Sequence, residues 1–148
     1  MHSTVEKLRE ITRRCKSGEA LSAELAGWLG TSLEEFLVRR SRTIEDALGL
    51  RTERGGIPWW LEDAMRRRDA ALRSLAHHFL GTHSLTARAR QIHVLAVRYG
   101  ASSWLRDNGS ETMPSSYSGK ASEWLWRAFK SGAPMPICER QLRHILAI

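Results

Sequence analysis

The chain has 148 residues, 42% of them hydrophobic and 26% charged, and its 23 Lys and Arg against 16 Asp and Glu leave a net charge of +7. That composition excludes an intrinsically disordered chain, and the length suggests one unit, since domains mostly run about 100–150 residues and one this long buries roughly two-thirds of its unfolded surface without metal or disulfide staples. No apolar run approaches the roughly 18 residues of a membrane-spanning helix, and MHSTVEKLRE lacks the apolar centre of a signal peptide, so a cytoplasmic protein independent of membranes is expected.

Apolar residues recur at three- and four-residue spacing between Ser or Thr starts and Gly stops, which predicts an all-α fold of about six to eight helices around a long central one. Ser3-Thr4-Val5-Glu6 fits a capping box for a first helix to about Lys16, with Val5, Leu8 and Ile11 or Thr12 facing the core. A second helix is predicted over roughly 20–29 with Gly30 as its stop, and Ser32-Leu33-Glu34-Glu35 reads as a capping box for a third running to about Arg40. Thr43-Ile44-Glu45-Asp46 starts a short fourth. Residues 50–57, LRTERGGI, form the clearest break, so one helical domain over 1–148 is expected to have sub-units 1–49 and 58–148.

The long helix is predicted from Pro58 to Leu80, with Leu61, Met65, Leu72, Leu75 and Phe79 on its core stripe and Ala71 and Ala76 beside it. After the tight connection 81–84, the next helix should bury Leu85, Ile92, Leu95, Ala96 and Tyr99, with Gly100 ending or bending it. Residues 107–119, DNGSETMPSSYSG, have the composition of a loop and are expected to be the most mobile segment. A helix over 120–130 carries Trp124, Leu125 and Phe129, and a last one after Pro136 carries Ile137, Leu142, Ile145 and Leu146.

Residues 21–42, LSAELAGWLGTSLEEFLVRRSR, combine Ala26, Gly30 four residues on and Phe36 six beyond that, a spacing in which Ala admits a neighbouring helix, Gly takes a left-handed turn and Phe holds the second helix. Over these residues the chain resembles the helix-turn-helix of bacterial and phage DNA-binding regulators. The resemblance implies DNA as partner, with Thr31, Ser32 and Arg39, Arg40 and Arg42 of the second helix at the groove and its phosphates, and a homodimer as the default for palindromic half-sites. Two antiparallel helices joined by a Gly turn inside a helical core would fit the same spacing. Ala96 and Gly100 repeat the step, but Arg106 stands where the second apolar residue belongs.

Charge falls unevenly: residues 1–50 carry 8 basic and 8 acidic groups, 51–100 carry 9 and 4, and 101–148 carry 6 and 4. The basic middle adds Arg66, Arg67, Arg68, Arg88 and Arg90 as phosphate contacts. Three consecutive arginines spread around a helix, however, and Glu62, Asp63 and Asp69 each precede an arginine by four residues, which makes a solvated, ion-paired face the plainer reading. Arg68 lacks such a partner and is singled out as a phosphate or carboxylate clamp.

Trp59 and Trp60 cannot both point inward from one helix face, so one should be exposed beside Arg54, offering a surface to an acidic or nucleic-acid-binding protein. The alternative function is therefore a protein-interaction module, an adaptor or inhibitor. No phosphate loop, nucleophile elbow or HExxH occurs, His77 and His78 diverge on a helix, and Cys15 and Cys138 are expected to be reduced thiols. No catalytic residue, metal ligand or cofactor is assigned, and an enzyme is not expected.

Overall fold

The computed structural model describes residues 3–148 and divides into two compact units, the first ending at Trp59 and the second spanning Trp60–Ile148. Among the described residues all regular structure is helical, as expected: eight α-helices and one 3-10 turn, with no strand.

In the first unit, α1 (Thr4–Ser17) begins with the predicted capping box: the Glu6 N–H donates to Ser3 Oγ and the Ser3 N–H to Glu6 Oε2 at 2.7 Å. Gly18, at φ 73°, ends it in the left-handed conformation that glycine adopts without a Cβ penalty. Ile11 is buried, whereas Thr12 is exposed and donates its hydroxyl back to the Leu8 carbonyl.

The predicted break at Gly30 is absent. Residues 23–37 form one helix, α2 (Ala23–Leu37), which runs straight through Gly30 with its start capped by Ser22. A lone glycine costs a helix only about 1 kcal/mol relative to alanine, and Leu29, Leu33, Glu34 and Glu35 around it favour helix. Leu25, Trp28, Leu29 and Phe36 also keep one partly buried stripe across the glycine, so propagation is cheaper than a new start. Both the two-helix motif and the alternative of two helices joined at Gly30 are therefore overturned. The true stop is eight residues later, where Val38 caps the helix and Arg39 takes φ 64° while the Arg40 N–H donates to the Glu35 carbonyl at 3.0 Å.

Next, α3 (Ile44–Ala47) is capped by Thr43. In the loop that follows, Gly55 lies at φ 85°, and a Cβ on Gly56 would fall 2.6 Å from Thr52 Cγ2, so neither position accepts a side chain without movement.

The second unit is built on α4 (Trp59–Phe79), whose first residue groups with the first unit, and on α5 (Leu85–Ala101), α6 (Ser103–Asp107), α7 (Ala121–Lys130) and α8 (Glu139–Leu146). Leu72, Leu75, Ile92 and Leu142 are fully enclosed, each contributing about 1.5–3 kcal/mol of burial. Gly100 does not stop α5: a Cβ there would meet the Phe129 ring at 3.2 Å, and its absence lets α7 approach closely. The second motif candidate, over 95–102, is accordingly helical through Gly100. Phe79, Leu85 and Ile137, expected in the core, are exposed instead because they sit at helix ends or beyond them.

The loop expected to be most mobile is held at several points. Asp107, buried at the end of α6, accepts from the Tyr117 hydroxyl at 2.6 Å, the Tyr99 hydroxyl at 3.1 Å and Arg106 Nε at 3.1 Å. Lys130 Nζ donates to the Ser110 carbonyl at 2.7 Å, and the Gly119 N–H to Glu123 at 2.8 Å. The residues that suggested a loop do form one, but its anchors are the acid and tyrosine within it.

Candidate interaction surfaces

The predicted groove-reading set is not brought together on a recognition helix. Thr31 is exposed, but Ser32 is only 6% exposed and its hydroxyl donates to the Trp28 carbonyl at 3.0 Å, so it faces the first unit's interior. Arg39, Arg40 and Arg42 are exposed in the turn beyond α2, with no ion pair or hydrogen bond from their guanidinium groups. Adjacent to a helix C-terminus, they suit its negative end, the ordinary reason for cations there.

The basic groups of the second unit are mostly engaged by the protein itself. Arg66 pairs with Glu62 at 3.1 Å, and Arg67 with Asp63 at 3.1 Å while reaching the Ser131 carbonyl at 3.3 Å. Arg68, read as a clamp for a ligand, is nearly buried: it pairs with Asp69 and donates to the Pro134 carbonyl, so its charge fixes the chain after α7. Asp69 thus serves Arg68 rather than Arg73, which instead caps α8 at the Ile145 carbonyl, 2.8 Å away. Arg88 is also structural, its guanidinium donating to the carbonyls of Leu80, Gly81 and His83 at 2.8–3.0 Å and closing the end of α4. Arg90 remains exposed, 3.9 Å from Glu139.

Of the two tryptophans, Trp60 is 58% exposed, while Trp59 is half-buried and donates its indole N–H to Glu45 at 3.2 Å. One inward and one outward ring is the division that helix geometry requires. Arg54 is exposed in the loop between.

Several depressions have the volume of a ligand site; one of about 380 Å³ in the second unit is lined by Arg73 and Arg88, both already held by carbonyls, and two others carry more side chains suited to a ligand. In the first unit, a cleft of about 580 Å³ lies beside α1, its walls including Glu10, Arg13, Arg14, Ser22 and Glu24. Arg13 grips Glu19 with both terminal nitrogens, at 2.8 and 2.9 Å, and Glu10 at 3.0 Å, and this pairing holds the carboxyls of Glu10 and Glu19 down to about 2. A wall of mutually neutralised charges selects no ligand sign. In the second unit, a groove of about 360 Å³ between α4 and α7 is lined by Arg67, Ser74, Trp124, Trp126, Arg127 and Lys130. Its cations look suited to an anion, yet Arg127 pairs with Glu123 and covers one Trp124 face while His78 stacks on that ring at 5.5 Å. Lys130 and Arg67 are held by carbonyls, leaving the buried Trp126 Nε1 as a donor without a partner.

No side-chain constellation for metal binding occurs among the described residues, and both cysteines are free thiols. None of the described helices is long and apolar enough to cross a membrane.

What sequence reading missed is the outward side of α5. Val94, Val97 and Ala101 share a sector of roughly 60° that also contains Arg90, with Arg98 just outside it, opposite the buried Ala89, Ile92, Ala96 and Tyr99. Val97 is 59% exposed and Leu105, on α6 just beyond, is 68% exposed. The signal was present: two valines fall off the core stripe of a helix that carries three arginines and no acid. Compared with known protein families, curated proteins and solved structures, the chain matches none.

Proposed function

We propose that the chain is a non-enzymatic protein-interaction module whose second unit takes an acidic, amphipathic partner segment along the outward side of α5. The observation that carries this reading is the exposed pair Val94 and Val97 among Arg90 and Arg98 on α5, a helix without acids, with exposed Leu105 on α6 beyond it. Exposed apolar side chains interspersed with one sign of charge favour a partner helix of opposite sign: the apolar contact supplies affinity, and the charges set orientation and rate of encounter. Because the opposite side of α5 is core, this surface is presented by a rigid element.

The test is site-directed photo-crosslinking of the full chain in the cells that express it, with the photoreactive residue at Val97 and, as control, at exposed Thr112. A discrete adduct with an acidic protein, formed at Val97 and lost with Arg98→Glu, is the expected result. Adducts no more abundant or discrete than those from Thr112 would refute the reading.

A second reading, sequence-independent polyanion binding, is favoured by one observation, the three unpaired arginines Arg39, Arg40 and Arg42 in one turn. It predicts duplex-DNA affinity that falls steeply with salt and weakens in an Arg39→Ala/Arg40→Ala/Arg42→Ala variant. Absence of binding at low salt removes it.

A further inference from the structure

We propose that the turn closing α2, residues 37–44, adsorbs to an anionic lipid bilayer, seating Leu37 and Val38 in the interfacial layer while Arg39, Arg40 and Arg42 engage the lipid phosphates. The proposal shares its three arginines with the polyanion reading and goes beyond it by giving the apolar side chains next to them a role.

Apolar exposure in the first unit is concentrated at one place. Among the described residues its exposed large hydrophobics are Leu33, Leu37, Val38, Ile44 and Ile57, and four of these five fall within residues 33–44. Leu37 is 75% and Val38 54% exposed, and every residue from 37 to 45 is exposed except Ser41, which is half-buried. A turn so accessible stands out from the unit, yet it is held in shape from behind. The N–H groups of Arg40 and Ser41 both donate to the Glu35 carbonyl, at 3.0 and 3.3 Å. Binding therefore has little chain ordering to oppose it.

Charge is concentrated at the same place. Residues 37–44, LVRRSRTI, hold three arginines and no acid, and none of the three guanidinium groups has a partner within the chain. Arg39 takes φ 64°, a conformation that glycine enters without steric penalty, so a long cationic side chain stands there against backbone strain. The acids nearby are mostly engaged or turned away. Asp46 pairs with Arg51 at 3.2 Å, Glu45 accepts the Trp59 indole N–H, and Glu35 lies roughly 160° around α2 from Leu37. Glu34, a turn back, is the one acid of this end of α2 on the side of Leu37.

The surface that suits this turn has negative charge lying over an apolar layer, which is the order a bilayer presents. Leucine and valine enter beneath the phosphates, and arginine side chains lay their stems on apolar surface while their heads stay at phosphate level. Duplex DNA offers the phosphates alone and would leave Leu37 and Val38 in water. That no described helix can cross a membrane bears on spanning, and adsorption needs no span. The independence from membranes expected from the sequence therefore does not extend to their surface.

The experiment is co-sedimentation of the full chain with vesicles of phosphatidylcholine alone and of phosphatidylcholine mixed with phosphatidylserine. Binding to the mixed vesicles only, weakened by salt, is the expected result. Arg39→Ala/Arg40→Ala/Arg42→Ala should lower partitioning about 100-fold, roughly fivefold per arginine. Leu37→Ser/Val38→Ser should lower it at least about tenfold with helix content retained by circular dichroism, and should leave any affinity for duplex DNA at the wild-type level. A wild type that stays in the supernatant with the mixed vesicles overturns the proposal. So does vesicle binding that survives Leu37→Ser/Val38→Ser, an outcome that returns the arginines to the plain polyanion reading. No residue of α5 is altered, so either result stands apart from the fate of the α5 reading.

Discussion

Replacing Asp107 by alanine isolates the interaction that organises one end of the second unit. The carboxylate is buried and accepts from two tyrosine hydroxyls and one guanidinium. Tyr99 is buried as well, so its hydroxyl would lose its acceptor with no water to replace it, at about 1–3 kcal/mol. Tyr117 is only half-buried and should lose about 1 kcal/mol, while the exposed Arg106 returns to solvent and adds nothing. The sum is about 2–4 kcal/mol, or roughly 10–20 °C in melting temperature for a unit of this size. Thermal and urea unfolding monitored by tryptophan fluorescence measure it, and a cycle with Tyr99→Phe should show the two changes costing less together than separately. A loss below about 1 kcal/mol, or strict additivity, would refute the view that these groups act as a unit. The pH dependence has a defined sign. The Tyr117 hydroxyl, followed by Arg106 and Tyr99, holds the Asp107 carboxyl below its ordinary 3.8 despite burial. A folded value below the unfolded one gives stabilisation that is complete above about pH 4 and fades as pH falls through the folded value, and that part of acid lability should vanish in Asp107→Ala.

Gly100→Ala sets about 1 kcal/mol of gained helix propensity against overpacking of typically 1–3 kcal/mol, because its methyl would lie 3.2 Å from the Phe129 ring. Net destabilisation of up to about 2 kcal/mol is expected in chemical denaturation, with recovery in Gly100→Ala/Phe129→Leu; an unchanged or raised midpoint in the single variant would contradict the packing described. In the first unit, carboxyl titration by NMR should place Glu10 and Glu19 near 2, and Arg13→Gln should raise Glu19 toward 4.5 and Glu10 only part of the way, because Arg14 Nε still bonds Glu10 at 2.6 Å. Their lowered folded values stabilise above the ordinary carboxylate range and lose that effect as pH falls toward 2; midpoints unchanged by Arg13→Gln would remove that guanidinium as the cause.

Helix starts were the most readable features because their signal is local. Ser3, Thr43 and Ser84 each cap the helix that follows them with their own hydroxyl. Ser32 failed for an instructive reason: Ser-x-x-Glu also suits a helix interior when the hydroxyl can bond back to the carbonyl four residues earlier, as it does to Trp28. Gly30 was equally ambiguous, since one glycine can end a helix or ride within it, and the continuous inner stripe decides. Counting arginines could not separate free cations from engaged ones. The carbonyl partners of Arg67, Arg68 and Arg73 lie 64 to 72 residues away in sequence and are brought together only by packing. The α5 surface was readable in principle from valines on the wrong side of a helix, but two valines are a weaker local signal than the run Arg66-Arg67-Arg68.

The clasp on residues 107–119 has a practical meaning for handling the molecule. Composition would direct a protease, an inserted tag or a circular permutation to that segment, yet its backbone is tied to Lys130 and Glu123 and its middle to a buried acid. Opening it would strip partners from Tyr99 in the core. The permissive place is the glycine-containing stretch before Trp59, where backbone is exposed and few side chains depend on the chain's path.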